Sequence, residues 1–147
     1  VLHTTFDAAG GSLAVDALHD GSASFTAIMC ANDLMALGVL RRLAALGVNV
    51  PGDVSVAGFD DIVTASITAP SLSTVRIPLR DLGRHGFEFV NRVLSGEVPS
   101  QVSLPTKVIL RDSTAQRAAA ASVLPPIQVG RTRRASSHAG GMVEDGS

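Results

Sequence analysis

Two short apolar runs constrain this chain more than anything else in it. Residues 25–31 read FTAIMCA and residues 54–59 read VSVAGF. Near-continuous apolar runs of this length are what strands buried on both faces require. Each run stops on a polar residue, Asn32 after the first and Asp60-Asp61 after the second. Between them, residues 33–46 carry a helical pattern, with Leu37, Leu40 and Ala44 on one stripe and Leu43 and Gly47 beside it. Gly47 suits the position just past the helix end. Pro51-Gly52-Asp53 then makes a turn. A strand, a helix and a second strand in such close order predict two parallel strands joined by a helical crossover.

The same alternation continues on either side. Residues 1–4 read as the end of a strand. Asp7 is a plausible N-cap for a helix over residues 8–19, closed by Gly21. The Gly10-Gly11 pair is expected to weaken the first turn of that helix by about 1 kcal/mol per glycine. After Asp61 a short helical or irregular stretch reaches Thr68, and Pro70 breaks it. Residues 72–77 read as a strand stopped by Pro78. The next helix, residues 79–94, has a stripe of Leu79, Leu82, Phe87, Val90 and Leu94 and ends at Gly96. Residues 107–111 form a last strand. The fold class is α/β, a parallel sheet flanked by helices on both faces.

Composition divides the chain near residue 115. Residues 1–114 hold all five Phe and carry eight basic against eleven acidic residues, a net charge of −3. Residues 115–147 hold no aromatic residue and four Arg against two acids, a net charge of +2. This second part is rich in Ala, Gly and Ser, contains Pro125-Pro126 and shows no apolar period, so it is expected to be a mostly disordered tail. A short helix over residues 116–121 fits its Ala content. Arg131, Arg133 and Arg134 form a small basic cluster, read either as a phosphate contact or as plain solvated charge. Leu124 is the tail's only Leu, so no heptad seam for oligomerisation exists there.

Several function classes fall away. A net charge of −1 over 147 residues excludes a chain that binds nucleic acid by bulk electrostatics. The single cysteine, Cys30, excludes an internal disulfide framework and a cysteine zinc site. It lies in an apolar strand and is expected to be inert. No apolar run approaches the roughly 18 residues of a membrane helix. His3, His19, His85 and His138 are scattered without ligand spacing, so no metal is expected. Asp60 and Asp61 are neighbours, and neighbours on extended backbone point to opposite faces, a poor acid–base pair. No G-x-S-x-G occurs, and Gly83-Arg84-His85-Gly86 is no phosphate loop. Neither an enzyme nor a cofactor is expected.

In open α/β sheets, ligands sit beyond the carboxyl ends of the strands. Phe6, Asn32 and Asp60 follow the first three strands. Together they offer a flat apolar face, an amide with donor and acceptor, and a charged acceptor. That set suits a sugar or a nucleoside, because a carboxylate receiving hydroxyl groups makes a strong, charge-assisted hydrogen bond. Each residue also has a plain structural reading. Asn32 can cap its helix, Asp60 can bind loop amides, and Phe6 can staple the helix that follows it.

Five stretches carry a resemblance. Residues 31–38 (ANDLMALG), 50–61 (VPGDVSVAGFDD), 70–76 (PSLSTVR), 104–106 (LPT) and 111–114 (RDST) resemble, in order and spacing, the signature of the lactose-repressor/galactose-repressor (LacI/GalR) family. The resemblance covers about residues 5–115. It implies the C-terminal part of an effector-binding domain similar to periplasmic sugar-binding proteins, with two α/β subdomains and ligand in the cleft between them. In that family the residues at the positions of Phe6, Asn32 and Asp60 contact the effector, a sugar or purine-like small molecule. The helix starting at Asp33, with Leu37, and the loop bearing Thr64 and Thr68 lie where the family dimerises. Residues 79–105 are expected to cross toward the other subdomain and to leave their apolar stripe partly exposed. The family's DNA-binding headpiece, hinge and nearly all of its first subdomain have no counterpart among these residues. The chain is therefore expected to be part of a longer regulator, acting in the cytoplasm as a homodimer and touching operator DNA only through that headpiece. Ile77 stands where the family often has Gln, which bears on effector choice. A transport-type solute receptor, which shares the cleft architecture, is the alternative.

Overall fold

The computed structural model describes residues 1–20 and 24–116. Gly21 and the tail beyond Gln116 lie outside the described residues, and so do the readings placed on them. The elements, in order, are α1 (Ala8–Asp20), β1 (Ala27–Met29), α2 (Asp33–Ala45), β2 (Ser55–Ala57), a 3-10 turn (Val63–Ser66), β3 (Thr74–Arg76), α3 (Leu79–Leu94) and β4 (Lys107–Ile109). Strands β1 and β2 are parallel, with Ile28 opposite Val56. Parallel bridges from Ala57 to Ser73 and from Asp60 to Arg76 continue the sheet toward β3.

The parallel α/β core matches the expectation, with three corrections. First, β4 pairs antiparallel with β3, Val75 opposite Val108. A parallel return needs a helix lying on the sheet as a crossover, and α3 buries no residue against anything described. Helices therefore do not cover the sheet in the way the alternation implies. Second, residues 1–4 join no ladder, and Val1 and Leu2 are exposed. Third, β1 is not buried on both faces: Ala27 and Met29 are exposed. Among the described residues β1 pairs only with β2, so its side chains lack a second neighbour.

Helix α2 sits at the centre. Its buried stripe is Ala36, Val39, Leu40 and Leu43 rather than Leu37, Leu40 and Ala44. These positions follow the i, i+3, i+4, i+7 spacing of a single helix face. They pack with Val15 of α1, Cys30, Val54, Val56, Ala65 and Leu72 in one core. Leu37 is only half-buried and Ala44 is exposed, so the larger side chain was a poor guide to the face.

Glycines decide how α1 meets α2. A Cβ on Gly11 would collide with the Met35 backbone, and one on Gly38 with the Ala8 backbone. The Gly10-Gly11 pair is thus a contact surface as well as a local weakness of the helix. Ser12 Oγ bridges the same crossing, donating to the Ala8 and Gly38 carbonyls at 3.1 Å each. Arg42 Nε reaches Asp16 Oδ1 at 2.6 Å farther along. Asp7 caps α1 as expected, its Oδ1 accepting from the Gly10 N–H at 2.8 Å. Helices α2 and α3 both end in the Schellman pattern. Gly47 (φ 73°) and Gly96 (φ 80°) are left-handed, and the Val48 and Glu97 N–H groups return to the Leu43 and Arg92 carbonyls.

Candidate functional site

Backbone hydrogen bonds hold the segments bearing Asn32 and Asp60 together, and the Asn32 side chain ties in Phe6. The Cys30 N–H donates to the Ala57 carbonyl at 2.8 Å, and the Asp33 N–H to the Phe59 carbonyl at 2.8 Å. The start of α2 is thereby fastened to the chain leaving β2. Asn32 occupies the junction, 5% exposed. Its Oδ1 accepts from the Met35 N–H at 2.8 Å, so it does cap α2. Its Nδ2 donates to the Phe6 carbonyl at 3.2 Å, which pins the chain ahead of α1 beside β1. The Phe6 ring is 66% exposed, so it staples nothing and leaves an apolar face bare.

Asp60 is the odd member. Its N–H donates to the Val75 carbonyl at 2.9 Å. Its φ of 112° lies in the left-handed half of the map, where a non-glycine residue costs about 1–3 kcal/mol and persists only when its surroundings hold it there. Among the described residues no hydrogen-bond donor reaches its carboxylate, so loop amides do not account for it. Partial burial, and then the charge of Asp33, push its carboxyl above the usual aspartate range. Among the described residues the Asp60 carboxylate therefore stands without a hydrogen-bond partner in a costly conformation.

Asp33 and Asp61, which sequence reasoning passed over, organise this loop. Asp33 is fully buried. Its Oδ1 accepts from Thr74 Oγ1 at 2.6 Å and its Oδ2 from the Ile62 N–H at 2.9 Å. Its place in the first turn of α2 adds a favourable helix dipole. Gly58 is required there, because a Cβ would strike Asp33 Oδ1. Asp61 turns away from Asp60 into the protein, its side chain 6% exposed between Arg111 and Arg76. Burial works to raise its carboxyl, but hydrogen bonds from Arg111 and Arg76 hold it below the usual range. Nearby, Ser113 Oγ donates to the Val56 carbonyl at 2.6 Å and accepts from the Ser73 N–H at 2.8 Å. The motif residues Asp33, Asp61, Thr74, Arg76, Arg111 and Ser113 therefore meet beneath the strand ends. The signal that could have found them was present: each lies inside one of the recurring stretches, and none follows an apolar or helical period.

The remaining sequence candidates fall elsewhere. Leu37 and Thr68 are half-buried and Thr64 is exposed. Beside them Leu34, Val63 and Ile67 present bare apolar surface. Cys30 is buried, and its thiol is pushed up to about 11 by burial and then by Asp33. A cavity of about 700 Å³ lies away from Phe6, Asn32 and Asp60. It lies between α3 and residues 99–106, lined by Ile77, Leu82, His85, Phe89 and Leu104 among others. Its walls are mostly apolar and it lacks the unpartnered carboxylate, so the strand ends are the stronger candidate for polar recognition. Among the described residues no group of His, Cys, Asp or Glu could hold a metal ion. None of the described helices is long and apolar enough to cross a membrane.

Comparison with known proteins agrees with this arrangement. A model of the periplasmic binding protein-like domain matches residues 3–114. The HTH-type transcriptional regulator MalR of Streptomyces coelicolor is 37% identical over 117 residues, 78% of this chain and 33% of that protein. The lactose operon repressor of Rhizobium radiobacter is 40% identical over 88 residues, 59% of this chain and 78% of that sequence. Among solved structures, a sugar-binding transcriptional regulator of the LacI family from Escherichia coli, complexed with phosphate, superposes with a TM-score of 0.67 at 37% identity. That match covers 75% of this chain and 40% of the other. The chain spans about a third of the length of MalR. It belongs to the periplasmic binding protein-like domain family, in the form carried by transcriptional regulators of the LacI/GalR family.

Proposed function

We propose that this chain is the C-terminal part of the effector-binding domain of a cytoplasmic transcriptional regulator. Asp60 accepts hydroxyl or N–H groups of a sugar or purine-like effector, Asn32 lines the same corner, and the Phe6 ring stacks on the apolar face of the effector. The observation that carries this reading is the Asp60 carboxylate, partnerless among the described residues at the carboxyl end of β2. The names of the matched proteins support a regulator over a transport receptor or an enzyme.

The remaining parts of the reading follow from exposed surface. Two copies associate through the start of α2 and the 3-10 turn, with Leu37, Thr64 and Thr68 in the contact and the bare side chains of Leu34, Val63 and Ile67 around them. The apolar stripe of α3 packs against a first subdomain supplied by sequence outside this chain. Operator DNA is read by a headpiece on that same outside sequence. Effector acts by binding one arrangement of the two subdomains more tightly than the other.

Calorimetric titration tests the site. The regulator that contains this chain is titrated with a fixed panel of glucose, galactose, ribose, maltose, lactose, hypoxanthine and guanine. Asp60→Ala is expected to weaken binding of the panel member that binds by roughly a hundredfold, the worth of one to two charge-assisted hydrogen bonds. Full affinity in Asp60→Ala removes Asp60 from the site.

A further inference from the structure

Among the described residues the Asp60 carboxylate has no hydrogen-bond partner to aim it, yet its backbone is held in a conformation that few residues adopt. The restraint comes from its neighbour. Asp61 is also left-handed, at φ 58°. Asp61 Oδ1 receives Arg111 Nη2 at 2.6 Å, and its Oδ2 receives Arg76 Nε at 2.5 Å. The second arm of Arg111, Nη1, donates to the Leu72 carbonyl at 2.7 Å, so the guanidinium is itself held in place. The Asp61 N–H leans on Thr74 Oγ1 at 3.4 Å, and the next N–H, of Ile62, bonds Asp33.

We propose that the Asp61 clamp, closed by Arg76 and Arg111, is the positioning device of the effector site: it holds residues 60–61 left-handed and so aims the Asp60 carboxylate outward. Arg76 ends β3 two residues before Pro78 and α3, and Arg111 follows β4 on the return from that arm. The clamp therefore ties Asp60 to both roots of the arm that carries α3. Asp61 and Arg111 are nearly enclosed, and each acts on effector only through Asp60.

The inference rests on Asp60 being the effector carboxylate, and its test separates the two claims. The three-bond coupling between the amide and α protons of Asp60 reports its φ without any ligand. In the unaltered 147-residue chain it has the small value that a φ of 112° dictates. Asp61→Asn keeps the size of the side chain but places an amide donor against an arginine. It is expected to shift the coupling to the large value of extended backbone while the amide spectrum of α2 stays unchanged. Arg111→Lys, which retains the charge and loses one arm, is expected to give an intermediate coupling. It also serves as the probe should Asp61→Asn fail to fold. In the regulator containing this chain, Asp61→Asn weakens the panel member that binds by about tenfold, the worth of one such hydrogen bond. An unchanged Asp60 coupling in a folded Asp61→Asn or Arg111→Lys chain overturns the clamp, whatever Asp60 binds. A shifted coupling beside unaltered effector affinity in Asp60→Ala keeps the clamp as a backbone device and overturns its role in the site.

Discussion

Helices α2 and α3 have similar lengths, 13 and 16 residues, and both carry apolar side chains on one face. Helix α2 buries six residues, including a charged one, while α3 buries none. The difference is the neighbour each one finds. Helix α2 meets α1 across glycines and shares one core with Val56 of β2, so its stripe is buried. Helix α3 leaves Leu79, Leu82, Phe87, Val90 and Leu94 bare, all at least 54% exposed. An amphipathic pattern states that a face wants cover; it does not state what covers it. Among the described residues the chain is therefore one packed body and one arm whose apolar stripe stays exposed.

Substitutions at matched positions should separate the two regions most sharply. Leu43→Ala in the body is expected to cost about 3–4 kcal/mol by denaturant unfolding, the range for a fully buried leucine. Leu82→Ala in the arm should stay within about 0.5 kcal/mol, as exposed sites do. Equal losses at both positions would erase the distinction. Asp33→Ala should cost about 3 kcal/mol, because it removes hydrogen bonds from Thr74 and Ile62 to a buried carboxylate. Gly38→Ala should cost about 2 kcal/mol by driving α1 and α2 apart. A stabilised Gly38→Ala would mean that the helices do not meet at this glycine.

Smaller effects come from the strand-end carboxylates. Asp60→Gly is expected to gain about 1 kcal/mol in stability, because glycine adopts its φ freely, while effector binding is lost. The acid limb of the stability curve should carry Asp61. Its folded pKa is lowered, so it stabilises the fold above its unfolded value of about 3.9 and loses that contribution as pH falls through the lower folded value. Asp7 behaves in the same sense through its bond to the Gly10 N–H. Asp60 runs the other way, since its raised folded pKa costs stability at neutral pH and returns it on acidification. Asp61→Asn should therefore flatten the curve below about pH 4, and an unchanged acid limb would count against the ion pairs.

Much of this was legible in the residues. The two apolar runs marked β1 and β2, Asp7 and Asn32 marked the helix caps, and Gly47 and Gly96 marked the helix ends. Those features are local, set by hydrogen bonds and φ within a few residues. What was misread depends on distant partners. The helical pattern puts Leu37, Leu40 and Ala44 on one stripe of α2, whereas α1 meets α2 by close approach at Met35 and Gly38. Alternation of strand and helix implies a parallel β4 reached by a crossover, whereas β4 pairs antiparallel with β3. At the site, Asn32 and Asp60 are legible from strand ends, whereas no strand precedes Phe6. The roles of Asp33, Asp61 and Arg111 are not legible there, because their partners lie 15 to 50 residues apart in the chain.

The division into body and arm is tested most directly by amide hydrogen exchange on the 147-residue chain. The account predicts slow exchange at Val39, Leu43 and Val56, near the global unfolding limit, and exchange across Leu79–Leu94 faster by orders of magnitude. Equal protection of α3 and α2 in the isolated chain would contradict it.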